Sequence, residues 1–120
     1  MNVDENMKRI EQVVRSLGLS GRALSSRQLM LAVELAHEDK SLLEFVTKGL
    51  YLEVAARFDR STNWRAVERN LRTARDQAWE KADRNRLNRI AGYVMKTKPS
   101  TGEFIDMLCY FVESGRSIED

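Results

Sequence analysis

"RAVERNLRTARDQAWEK", residues 65–81, carries Arg65, Arg69, Arg72 and Arg75 at intervals of three or four. Counted from Val67, the apolar residues Leu71, Ala74 and Ala78 fall at +4, +7 and +11, which is one side of a 3.6-residue helix. Counted from Arg65, the residues Arg69, Arg72 and Asp76 fall at the same offsets. The two stripes differ by two residues, about 200° around the axis, so they are opposed. This spacing predicts a helix that packs on the protein with one face and projects guanidinium groups from the other.

Immediately upstream, Tyr51, Val54, Ala55 and Phe58 repeat at helical spacing, and "DRSTN" at 59–63 is a polar turn rich in capping residues. A short helix, a turn and a helix with a donor-rich outer face form a helix-turn-helix pattern at about residues 50–80, its recognition helix at about 63–80. The major groove of double-stranded DNA admits one helix, and an arginine can donate two parallel hydrogen bonds to guanine O6 and N7. Arg69 and Arg72, on the outward stripe, are the first candidates for base edges. Arg65 and Asn63, near the helix start, are placed for bases or phosphates. Lys48, Arg60, Ser61 and Thr62 suit the phosphate backbone. Glu68 is placed to orient Arg69 or to accept from cytosine N4; as surface charge it would offset its neighbours. Arg75 pairs as readily with Asp76 or Glu80 as with DNA, and is set aside.

The chain of 120 residues has a net charge of only +2, but the charge is unevenly distributed. Residues 57–98 hold 12 Lys/Arg against 5 Asp/Glu, a net of +7. Residues 1–56 come to −1 and residues 99–120 to −4. A basic segment of this kind is the electrostatic footprint of a surface that meets phosphates, and a solvated helix face is the ordinary alternative. Charged residues at 32%, hydrophobic ones at 42% and a single proline describe a globular helical chain. The length fits one domain, residues 1–120.

The remaining elements follow the same periodicity. A first helix is expected from Asp4 or Glu5 to Leu17, with Met7, Ile10, Val14 and Leu17 inward and Gly18 as its stop. A second helix, capped by Ser25 or Ser26, runs to about His37 with Leu29, Val33 and Ala36 inward. Leu42, Leu43, Phe45 and Val46 suggest a short helix, although Gly49 weakens its continuation. Another helix spans about 84–91 and ends at Gly92. Ser100 and Glu103 form a capping box that opens a last helix to about Glu113, with Phe104, Ile105, Leu108 and Phe111 on its apolar face. Trp79 reads as core; Trp64 reads as a staple of the helix start on Phe58 or as partly exposed. The fold class is therefore all-α, about six helices around a helix-turn-helix, without a wing.

Catalytic chemistry finds little purchase here. His37 is the only histidine and Cys109 the only cysteine, so a metal cluster, a Ser-His-Asp arrangement and an internal disulfide are not expected. Cys109 lies among Ile105, Leu108 and Val112 and reads as a buried structural thiol. The glycines form no phosphate-cradling loop, and no carboxylate pair stands out as an acid/base couple. The expectation is a protein that is not an enzyme, needs no cofactor and binds no metal. Neither a secretion signal nor a membrane-length apolar run occurs, so a cytoplasmic location is expected.

Taken in order, "LLEFVTKGLYLEVAARF" (42–58), "VERNLRTARDQAW" (67–79) and "GYVMKTKPSTGEFIDM" (92–107) resemble the C-terminal effector domain of the stage-zero sporulation response regulator family of endospore-forming bacteria. The likeness covers about Leu29 to Val112. It includes the TK-x-LY run at Thr47–Tyr51, VER-xx-R at Val67–Arg72 and the K-x-KP segment at Lys96–Pro99. The resemblance implies a helical domain of about six helices that binds short operator boxes as paired copies and contacts RNA polymerase sigma factor. By position, Arg69 and Arg72 match the family's base readers, with Glu68 beside them. Three departures bear on this. Thr73 stands where the family has histidine, which affects box preference. The turn before Val67 is about two residues longer, which affects the approach angle of the helix. Leu52 replaces a proline.

Members of that family carry an aspartate-phosphorylated receiver domain ahead of the effector domain. With Met1 and a full first helix, this chain is expected to be a stand-alone effector domain, active constitutively, by abundance or through another protein. The alternative function is an interaction protein that kept the fold, lost DNA binding, and pairs with a full-length regulator or sigma factor as an antagonist.

Overall fold

In the computed structural model, residues 3–58 and 62–118 are described. Six α-helices order the described residues: α1 (Val3–Ser16), α2 (Leu24–Glu38), α3 (Leu52–Phe58), α4 (Trp64–Lys81), α5 (Arg84–Ala91) and α6 (Thr101–Ser114). The all-α expectation is met, and no strand occurs among the described residues.

The helix α2 is the pillar. It packs against α1, α3, α4 and α6, and buries Leu29, Ala32, Val33, Leu35 and Ala36 together with the polar Ser26 and Gln28. Burial on several sides suits a helix with few charges in its middle. Against it α6 buries Phe104, Ile105, Met107, Leu108, Cys109, Phe111 and Val112. The helix α1 closes the core with Ile10, Val13 and Val14, while Met7 is only half-buried.

Several element boundaries follow from local chemistry. Gly92 ends α5 in the left-handed region at φ 86°, and a Cβ there would lie 3.1 Å from the Tyr110 ring, so both backbone and space call for glycine. Ser100 Oγ accepts from the Glu103 N–H at 3.1 Å, and Glu103 Oε1 accepts from the Ser100 N–H at 3.1 Å. This is the expected capping box, and α6 continues one residue past the expected end. An aspartate not singled out beforehand, Asp83, caps α5 by accepting from the Asn85 and Arg86 N–H groups.

Two expectations need correction. The second helix starts at Leu24 behind Ala23, which offers no side-chain cap, so neither Ser25 nor Ser26 is the N-cap. Ser26 instead lies inside the first turn, its hydroxyl buried without a partner among the described residues. The short helix expected around Leu42–Val46 is divided. Residues Lys40–Leu43 form a 3₁₀ turn capped by Asp39, whose side chain accepts from the Ser41 N–H. After the non-helical Phe45 (φ −132°, ψ 71°) comes a π-type turn, Val46–Tyr51, that runs into α3. The Phe45 carbonyl accepts from both Gly49 and Leu50, at 2.6 and 3.3 Å, which widens the turn. The periodicity breaks there, and Phe45 is 65% exposed.

Candidate nucleic-acid interface

Asn63 opens α4: its Oδ1 accepts from the Ala66 N–H at 3.0 Å, satisfying one of the orphan donors of the first turn. From there the opposed faces follow. Val67, Leu71, Ala74 and Ala78 are all fully buried, as the spacing predicts. Arg65, Arg69, Arg72 and Thr73 are exposed, and Glu68 is half-buried. The turn leading into α3 contributes Tyr51, and α3 contributes Val54 and Ala55, to the core. Burial raises the pKa of the Tyr51 phenol, against a hydrogen bond with Thr101 that lowers it. Phe58, at the end of α3, is half-buried with the Arg27 guanidinium 5.2 Å from its ring centroid.

The four arginines differ in what holds them. Arg69 has no ion-pair or hydrogen-bond partner among the described residues. Arg72 is 52% exposed and lies 3.8 Å from Glu68 one turn back, a long, solvent-screened pair. Arg65 stacks over its neighbour Trp64 with 5.3 Å to the ring centroid, and Trp64 itself is half-buried against the core. Arg75 is the exception. Its side chain is only 15% exposed, binds Asp76 at 2.9 Å, and donates from Nη1 to the Pro99 carbonyl at 3.3 Å. Lys98 Nζ donates to the same Asp76 carboxylate at 3.0 Å, and this bond, with the one from Arg75, lowers the Asp76 pKa. The segment before α6 is thereby strapped to α4 beyond Arg72.

Two arginines of the basic segment beyond α4 also have partners within the molecule. Arg86 donates to the Ser16 carbonyl at 3.0 Å, at the C-terminal end of α1. Arg84 lies over the Trp79 ring at 3.4 Å, and Trp79 is half-buried against the core. On α4 itself Arg65, Arg69 and Arg72 remain exposed, with Lys81 at its end.

Of the residues expected at phosphates, Lys48 is exposed in the turn leading to α3, Thr62 is half-buried, and Asn63 is exposed with its Oδ1 engaged as a cap. Arg60 and Ser61 lie outside the described residues. One feature of this region escapes sequence reading: Asn70, between Arg69 and Leu71, donates to Gln28 of α2 at 2.9 Å. Its offset of +3 from Val67 places it at the edge of the buried stripe, the only signal the sequence offers.

Away from this face the titratable groups are structural. Glu113 accepts from Lys40, and His37 Nδ1 lies 2.7 Å from it. Although burial opposes it, the Glu113 pKa is lowered by these two partners. Cys109 is buried, and desolvation pushes its thiol up to about 12. No described helix is long and apolar enough to cross a membrane.

A family model described as "Sporulation initiation factor Spo0A C terminal" matches residues 10–111, from within α1 to within α6, and so takes in the whole of α2–α5 and the opposed faces of α4. That family is one of DNA-binding regulatory domains rather than of enzymes. With the match spanning most of its 120 residues, the chain belongs to the Spo0A C-terminal family of DNA-binding transcription-regulatory domains.

Proposed function

We propose that this protein is a sequence-specific DNA-binding transcriptional regulator of the sporulation-initiation type that inserts α4 into a major groove. The observation that carries the reading is the division of α4 between a fully buried aliphatic face and an exposed one bearing Arg69 and Arg72. An arginine with no strong partner among the described residues needs no rearrangement of them to meet a guanine edge. In this reading Arg69 and Arg72 read bases, with Arg65, Glu68 and Thr73 at the margins of the read positions. Lys48, Arg60, Ser61, Thr62 and the Asn63 amide hold the phosphates that set the angle of α4. Pairing of two copies on adjacent boxes and a contact with sigma factor belong to the same reading and come with the family likeness.

Selection of bound sites from a random duplex pool tests it. The expected result is an enriched short box containing guanine, bound with an affinity that falls steeply as salt rises. Recovery of no box, together with no binding to any duplex at low salt, refutes the proposal.

A further inference from the structure

The pair Gln28–Asn70 stands apart from the rest of the core. Gln28 is fully buried, and its Oε1 accepts from Asn70 Nδ2 at 2.9 Å, while its own Nε2 is buried with no partner among the described residues. A buried amide with an orphan donor costs stability, and an unbranched apolar side chain of similar length would fill the same space without it. The glutamine therefore calls for a reason other than stability.

The position supplies one. Asn70 is the residue between Arg69 and Leu71, on the helix that carries the outward arginines. The buried stripe of α4 ends in two alanines, Ala74 and Ala78, whose short side chains leave little to interlock with whatever element they pack on. A directional bond to a group held out of water behaves differently, because a small displacement leaves the buried Gln28 carbonyl oxygen unpaired. Single buried polar contacts are known to fix the register of packed helices at a cost in stability. Bidentate recognition of a base edge is demanding, since a site about 1 Å loose loses it.

We infer that Gln28 and Asn70 are positioning residues: the hydrogen bond from half-buried Asn70 to fully buried Gln28 pins the roll and slide of α4 on α2, and so sets where Arg69 and Arg72 meet the bases. The inference rests on the proposed DNA reading and deepens it, since neither residue touches DNA.

The test uses the full chain as Gln28→Met, Asn70→Ala and the Gln28→Met/Asn70→Leu double variant. For each, the melting temperature is measured, together with the ratio of affinities for the selected box and for duplexes changed at one guanine. Asn70→Ala, half-exposed, provides a folded variant should Gln28→Met fail to fold. The expected result is a loss of discrimination of about tenfold, with non-specific affinity unchanged and with the double variant melting no lower than the wild type. A merely structural pair would lower stability and leave that ratio in place. Discrimination within about twofold of wild type in the folded variants overturns the inference while leaving the DNA reading intact. Failure of the wild type to bind any duplex overturns both.

Discussion

Replacing Arg72 by alanine should separate folding from recognition. The side chain is 52% exposed, and its ion pair with Glu68 spans 3.8 Å with both partners open to solvent. Such an i, i+4 pair is worth ~0.3–0.5 kcal/mol, and alanine is at least as good a helix former as arginine. The stability change is therefore at most about 0.5 kcal/mol, a melting shift of about 3 °C or less. Binding should respond on another scale. Loss of a bidentate contact to guanine removes ~1–3 kcal/mol of discrimination, about 5-fold to 150-fold in the affinity ratio at that base. The assay is fluorescence anisotropy on the selected box and its single-base variants, repeated over a salt series. Arg72→Ala should bind its box more weakly and become indifferent to one base position, while keeping its affinity for random duplex. Equal weakening on every duplex, with the salt slope reduced by about one, would place Arg72 at a phosphate and refute the base-reading role. Unchanged binding would remove it from the interface altogether.

Other perturbations address the frame that holds this helix. Leu71→Ala, on the fully buried face, should cost ~2–5 kcal/mol, so thermal melting and DNA binding fall together, unlike Arg72→Ala. Ser100→Ala removes the cap of α6 and should cost about 1 kcal/mol, seen as a melting point lower by about 4 °C. The Ser100 backbone N–H holds the Glu103 carboxyl below the usual carboxylate range, so its stabilising effect is present at neutral pH and lost as pH falls through that lowered pKa. The gap in melting temperature between wild type and Glu103→Gln should accordingly be wider at pH 7 than in strong acid. Cys109, buried with its thiol at about 12, should resist alkylation by iodoacetamide in the native protein near pH 8 and react on unfolding, as intact mass would record.

Neighbouring residues along the chain were enough to determine most of the helices and the two faces of α4. Val67, Leu71, Ala74 and Ala78 lie on one side because a 3.6-residue period puts them there, whatever they pack against. The capping box at Ser100 and Glu103 and the stop at Gly92 are equally local, each formed within one turn. The fate of the charges was decided elsewhere. Asp76 beside it already told Arg75 apart from the other arginines, but its bond to the Pro99 carbonyl, 24 residues on, and the bond of Arg86 to the end of α1, 70 residues away, belong to the fold alone. The same holds for Phe45, left outward when the chain widened into a π-type turn, and for Ser26, drawn inside the first turn of α2. Gln28 and Asn70, 42 residues apart, are joined only because α2 and α4 pack side by side. Periodicity is written into adjacent residues, whereas a pairing across the molecule exists only once packing has brought its partners within a bond length and removed the water that would have satisfied them instead.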